Sequence, residues 1–218
     1  MPTSYPENIS RIITLILETK PYSILDVGSG FGKYGYLCRE YLDVTQGRFR
    51  KGDWKIRIDG IEGFAPYLSD LQRLIYDRIY EGDIFETFAK FPDQTYDLAL
   101  AIDILEHFEK AEGLRFLEEC LRLARIVLVS VPLGLAQGAV FGNPLESHRA
   151  KWSKKEFKAL PAPVILTGYR SLIVLLSKNF PEHLLYLKKI RFIEFKENLK
   201  RELRRRFGLS SRLFRPFS

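Results

Sequence analysis

Seven short runs rich in Val, Ile, Leu and aromatic residues punctuate the chain: YSILDV, WKIRIDGIE, RIYEGD, YDLALAID, ARIVLVSV, PVILTGY and SLIVLLSK. The first five alternate with stretches of helical apolar spacing, the pattern of a parallel sheet covered by helices on both faces. Between the last two there is room only for a turn at 168–170, so they read as an antiparallel pair. The expected fold is α/β and doubly wound, with a seven-stranded, mostly parallel sheet, a terminal antiparallel hairpin and a basic C-terminal helix. Apolar spacing and capping residues predict helices over 8–19, 66–77, 109–124 and 153–160, the last opened by a Ser153–Glu156 capping box. The polar stretch 43–53 reads as a solvated loop.

At 218 residues and 46% hydrophobic content, the chain can bury one sizeable core and is short for two ordinary domains. Charge locates an appendage. The region 182–218 holds eleven Lys and Arg against four Glu, which accounts for the whole net charge of +7. The expected organisation is a body over 1–181, neutral overall, and a basic amphipathic tail over 182–218. A neutral body argues against a broad nucleic-acid-binding face. Apolar residues at Leu184, Leu187, Ile190 (or Phe192), Phe195, Leu199, Leu203 and Phe207, in steps of three to five, give the tail a stripe opposite its basic face. It fits membrane-surface contact through 184–217, packing on its own domain or a partner, or a nucleic-acid arm.

Cys38 and Cys120 form no CxxC pair and no disulfide framework, which points to a reducing cytoplasm. The N-terminal apolar stretch is broken by Arg11, Thr14 and Glu18 and is not expected to be a signal peptide. No run of eighteen apolar residues occurs, so no membrane-spanning helix is expected. The expected location is cytoplasmic, with a peripheral membrane position if the tail docks there.

The first apolar run leads straight into glycines, SILDVGSGFGKYG. Gly28, Gly30 and Gly32 stand where ligands bind in open parallel sheets, outside the carboxyl ends of the strands. Lacking Cβ, they let backbone N–H groups approach a ligand closely. A dinucleotide fingerprint would place a further glycine five residues after Gly28, but Lys33 is there, and Asp26 stands two residues before Gly28.

The stretch Ile24-Leu25-Asp26-Val27-Gly28-Ser29-Gly30-Phe31-Gly32 resembles motif I of the class I S-adenosylmethionine-dependent methyltransferases, broadly of the bacterial sugar and small-metabolite type. The resemblance runs over 20–178 and implies S-adenosyl-L-methionine as cofactor. It assigns cofactor contacts to Asp26, Gly28, Ser29, Gly30 and Gly32. Glu62, with Asp59 as the weaker candidate, would take the ribose hydroxyls; Asp83 and Ile84 would receive the adenine; Asp97 is the usual acid near the start of the fourth strand; and Ala101 to Asp103 would face the cofactor. The residue types suit the task, since a ribose diol wants a two-oxygen acceptor and a purine wants an apolar slot with a carboxylate for its amine. Taken singly, Asp83 could be a turn residue, Glu62 a helix cap and Asp26 a holder of a loop amide. Their order on successive strand ends favours the binding reading.

No Asn- or Asp-Pro-Pro-aromatic motif follows the fourth strand and no cysteine stands near it, which leaves oxygen methylation. His107 and His148 lie on loops that converge above the cofactor in this fold and are the candidate catalytic residues, while His183 belongs to the tail. A narrower resemblance, to small-RNA 3′-terminal 2′-O-methyltransferases, rests on Asp103, Glu106, His107 and His148, with Trp152 beyond. It implies a divalent cation that activates a hydroxyl, although Asp103 is one methylene shorter than that family's Glu. Three readings follow: an O-methyltransferase acting on a small molecule or glycan, with no metal assigned; a metal-dependent RNA 2′-O-methyltransferase; and a non-catalytic adaptor that docks on a membrane or partner.

Overall fold

A computed structural model describes residues 4–134, 136–161 and 164–187. The chain separates into two compact units, Met1–Phe180 and Pro181–Ser218. The first unit carries a seven-stranded sheet in the order β3-β2-β1-β4-β5-β7-β6. Its strands are β1 (Ser23–Val27), β2 (Arg57–Glu62), β3 (Arg78–Glu81), β4 (Tyr96–Ile102), β5 (Ala124–Pro132), β6 (Val164–Thr167) and β7 (Ser171–Leu176). Pairings β1–β2, β1–β4, β2–β3 and β4–β5 are parallel, while β7 runs antiparallel to both β5 and β6. The fold is therefore the expected doubly wound sheet with a terminal hairpin.

The helices are α1 (Pro6–Thr19), α2 (Lys33–Leu42), α3 (Asp70–Ile75), α4 (Ile84–Phe88), α5 (Lys110–Leu123) and α6 (Lys154–Phe157). On one face of the sheet, Leu25, Ala99, Val127 and Val174 form a continuous core with Phe88 of α4, Phe116 and Leu117 of α5, and Phe157 of α6. Strand residues of opposite parity, such as Ile24, Ile58 and Leu98, are also fully buried. α1, α2 and α3 form the second helical set, with α2 packed on β2. Burial on both faces explains why residues 98–102 of β4 and 172–176 of β7 read as unbroken apolar runs rather than alternating ones.

Three local expectations are corrected. The helix read over 66–77 is a 3-10 turn at Ala65–Tyr67 followed by the short α3, because Ser69 forms a capping box with Gln72 and restarts the chain. The helix read over 153–160 keeps its Ser153–Glu156 box but ends at Phe157. The stretch 43–53 is not simply solvated. Asp43 is fully buried and gathers Arg39 Nη1 (2.6 Å), Arg48 Nε (2.7 Å) and Lys55 N (2.8 Å).

In the second unit Glu182–Leu184 forms a 3-10 turn and His183 is exposed. The basic helix expected over 184–217 lies outside the described residues beyond Leu187. Among the described residues, no helix is long and apolar enough to cross a membrane.

Candidate active site

The chain runs outward from β1 to β3 and then returns to β4, so the strand order reverses between β1 and β4. The glycine loop leaves β1 there. Gly28, Gly30 and Gly32 have φ of 71°, 53° and 82°, a region that side chains disfavour. A Cβ at Gly28 would also lie 2.4 Å from Ile104 Cδ1. The loop is fixed by its neighbours. The amides of Gly28 and Ser29 donate to Ile61 O at 2.9 and 3.0 Å, Gly30 N donates to Glu62 Oε2 at 2.7 Å, and Gln72 Nε2 donates to Gly30 O at 2.9 Å.

A cavity of about 510 Å³ opens over this loop, and its wall includes Gly28, Ser29, Gly30, Glu62, Asp83, Ile84 and Asp103. These sequence-predicted cofactor residues are thus brought together. Glu62 ends β2 and is buried. Its Oε1 accepts from Phe64 N at 2.8 Å while Oε2 accepts from Gly30 N, and the Gly63 amide also bonds the carboxylate. Burial raises its carboxyl pKa, against the opposing bonds from those amides. Asp83 caps α4 through Oδ1, which accepts from Phe85 N (2.8 Å) and Glu86 N (3.0 Å). Ile84 and Phe85 add apolar wall beside it.

Asp26 and Gly32 do not line the cavity. Gly32 is the N-cap of α2. Asp26 is buried under the loop, where its Oδ2 accepts from Tyr76 Oη at 2.6 Å. Burial pushes its carboxyl up to about 6, with the Tyr76 hydroxyl pulling the other way. Asp59, the weaker ribose candidate, is also buried away from the cavity wall and accepts from Tyr96 Oη at 2.8 Å. Asp97 instead pins the start of β1, its Oδ2 accepting from Tyr22 N and Ser23 N at 2.9 and 3.1 Å.

The loops after β4 and β5 converge at the other end of the cavity. Arg149 N and Ala150 N donate to Glu106 O at 2.8 and 3.1 Å, and Trp152 Nε1 donates to Leu105 O at 3.2 Å. His107 Nδ1 lies 3.3 Å from Ser147 O, and the His107 and His148 rings are 5.1 Å apart. His148 Nε2 is 3.9 Å from Glu106 Oε1. Glu106, His107 and His148 each offer a ligand atom within 4.8 Å of the others. Glu106 is 3% exposed, and its Oε2 has no hydrogen-bond partner among the described residues. Burial first, then the charge of Asp103, pushes the Glu106 carboxyl well above its usual range. Burial lowers His107 to about 4, opposed by the Ser147 carbonyl. Asp103 has φ of 52°, a strained position held by Ser130 Oγ at 2.8 Å from Oδ1. The four residues Asp103, Glu106, His107 and His148 therefore share one wall.

Sequence reading missed the residues that support the loop. Gln72 grips Gly30 O and Tyr67 O, and Tyr76 reaches Asp26. Tyr67 also donates to Glu146 Oε1 at 3.1 Å, closing the cavity from the β5 side. The available signal lay in Gly35 and Gly60, a glycine inside a helix and one inside a strand, which mark a close approach. A Cβ at Gly35 would stand 2.3 Å from Tyr76 Cζ.

No protein-family model and no curated protein sequence matches the chain. Solved structures do. A SAM-dependent methyltransferase from Archaeoglobus fulgidus superposes with a TM-score of 0.58 at 14% identity, over 78% of this chain and 92% of that one. The N-terminal domain of EvdMO1, solved with S-adenosylhomocysteine bound, gives 0.58 at 13% identity, over 80% and 82%. An O-methyltransferase family protein from Burkholderia thailandensis gives 0.55 at 12% identity, over 80% and 56%. The chain has the fold of the class I S-adenosylmethionine-dependent methyltransferases.

Proposed function

We propose that the chain is an S-adenosylmethionine-dependent methyltransferase that modifies a hydroxyl group of a small molecule or glycan. The observation that carries this reading is a single cavity at the sheet's switch point, with the glycine loop, Glu62 and Asp83 at one end and Glu106, His107 and His148 at the other. The residues fit the cofactor. Glu62 presents two fixed oxygens suited to a ribose diol, Ile84 and Phe85 offer an apolar slot beside Asp83, and Gly30 leaves open space where a Cβ would stand. Ser29 Oγ is buried with no partner among the described residues, so a polar ligand group would satisfy it.

When bound, the cofactor supplies an electrophilic methyl on a sulfonium. The protein's part is to bind, align and take up the acceptor's proton. His107 or His148 would accept that proton, and Glu106 stands beside His148, with Oε1 3.9 Å from its Nε2. The wall also favours a neutral or cationic acceptor over a polyanion. It carries the acids Glu62, Asp83, Asp103, Glu112 and Glu146 and the buried carboxyl of Glu106, against Lys33 and Arg149 as cations. A sugar fits that character, and EvdMO1 was also crystallised in the presence of D-fucose.

A second reading is favoured by the unpartnered Glu106 Oε2 and the 4.8 Å cluster. In it, Glu106, His107 and His148 would hold a divalent cation that lowers the pKa of an acceptor hydroxyl, as in the RNA 2′-O-methyltransferases of the narrower resemblance. A methyl-labelled cofactor offered with sugars, phenols and a short RNA, with and without chelator, separates the two. Label on a sugar or phenol that survives chelation supports the first. Label on RNA that disappears with chelator and returns with Mg²⁺ supports the second, and label on none of them counts against both.

A further inference from the structure

A second cavity, of about 490 Å³, opens at the other edge of the sheet, where β2, β3 and β4 begin, and shares no lining residue with the first. Its chemistry is the reverse of the acidic wall above. Lys55, Arg57 and Arg78 bring exposed cations to it, and Tyr80, Phe91 and Tyr96 give it an aromatic lining. The groups are held in place. Arg57 Nη2 donates to Thr95 O at 2.9 Å, and its guanidinium carbon lies 4.4 Å from the centre of the Tyr96 ring. Phe91 meets Tyr80 and Tyr96 edge to face, at 5.1 and 5.6 Å between ring centres. Two polar atoms of the lining residues are unsatisfied. Asp59 is 3% exposed; its Oδ2 accepts from Tyr96 Oη, but its Oδ1 is buried with no partner among the described residues. Trp54 Nε1, a donor, is buried without a partner in the same way. Buried polar groups are ordinarily paired, so an unmet acceptor and an unmet donor in one cavity point to a ligand that offers their complements.

We propose that this second cavity binds a mononucleotide: Arg57 and Arg78 take its phosphate, the Tyr80 and Phe91 rings pack against its base, and Asp59 Oδ1 and Trp54 Nε1 meet a donor and an acceptor on the base edge. Guanidinium forks match phosphate oxygens two at a time, and aromatic rings stack on any base. A base edge also carries donors and acceptors side by side, which few other small planar anions do. A free nucleotide fits better than a nucleic-acid chain, because residues 1–181 are neutral overall and offer no long basic track for a polymer. The site is separate from methyl transfer and stands whether or not that reading holds. Asp59 lines this cavity, while Glu62, further along β2, lines the first.

An adenosine compound also suits the first cavity, so the full chain is saturated with S-adenosylhomocysteine and then titrated calorimetrically with the nucleoside 5′-monophosphates of A, G, C and U. A chain that binds no S-adenosylhomocysteine is titrated directly, which keeps the two readings separable. Tryptophan fluorescence is a second readout, because Trp54 lines this cavity and Trp152, the other tryptophan, is buried against Leu105. Saturable binding of at least one nucleotide is expected, with a fluorescence change that Trp54→Phe removes. The matching nucleoside and inorganic phosphate should each bind about tenfold more weakly or worse, since each lacks half of the contacts. Arg57→Gln combined with Arg78→Gln should weaken the nucleotide about tenfold or more, through lost charge-assisted hydrogen bonds. Thermal unfolding like that of the natural chain shows that this variant is folded. Binding of none of the nucleotides, or binding that the paired arginine variant leaves unchanged, overturns the inference. So does inorganic phosphate that binds as tightly as the nucleotide, or a nucleotide that binds only when S-adenosylhomocysteine is left out and therefore occupies the first cavity.

Discussion

Asp26 and Glu62 are both buried acids at or near strand ends, yet they do different work. Glu62 reaches the cavity and braces Gly30 and Phe64. Asp26 stays below and braces Tyr76. Glu62→Gln replaces one acceptor oxygen with a donor that faces a backbone amide. S-adenosylhomocysteine binding, measured by calorimetry, should weaken by about 1–3 kcal/mol. Asp26 should show itself in the pH dependence of folding instead. Its carboxyl has an ordinary value of 3.8 and is raised to about 6 in the fold. The folded chain therefore holds this proton more tightly. The stabilisation is complete below the unfolded value and is lost as pH rises through the folded one. The difference in unfolding free energy between the natural chain and Asp26→Asn should fall by on the order of 3 kcal/mol from about pH 4 to about pH 7. Denaturant titrations across that range check it, and a flat difference would mean Asp26 is not buried as described. The acids themselves were legible in the sequence from their places around the glycine loop. Which of them faces the cavity was not, because that depends on Tyr76 arriving from a segment fifty residues away.

At the scale of elements, α2 and β2 are locked to the site by two glycines packed on one ring. Gly35 and Gly60 leave room for Tyr76, and added Cβ atoms would lie 2.3 Å from its Cζ and 3.2 Å from its Cδ1. Gly35→Ala should therefore cost about 1–3 kcal/mol in denaturant unfolding through overpacking, even though alanine favours helix more than glycine does. A stabilised variant would show that the ring gives way freely. On the acceptor side, Gly113 of α5 lets Trp152 in, with a Cβ placed only 2.6 Å from Trp152 Cζ2, and Trp152 in turn ties the β5 loop to Leu105. The strands were legible because burial on both faces writes them as apolar runs, and the Ser153–Glu156 box was legible because it is local. The break between Ala65–Tyr67 and α3 was not. Leu68, Leu71 and Leu74 continue a helical spacing there, yet Leu71 and Leu74 are 50% and 60% exposed, so that spacing reflects no buried face.

Over the whole molecule, the doubly wound sheet with its antiparallel end followed from the order of apolar runs, because a chain alternating strands and helices has few ways to cover a parallel sheet. The convergence of the β4 and β5 loops needed the fold, since Glu106 and Arg149 lie far apart in sequence and meet only through the sheet. The separate charge of 182–218 makes its own prediction, argued from sequence alone. The full-length chain should co-sediment with vesicles of anionic lipid in a salt-sensitive way, and a chain ending at 181 should not. Equal sedimentation of the two would remove the tail from membrane contact. The central claim concerns the body, and calorimetric titration of the full-length protein with S-adenosylhomocysteine tests it most directly. Saturable binding at one site per chain is the predicted result; a folded protein that binds none would contradict the account.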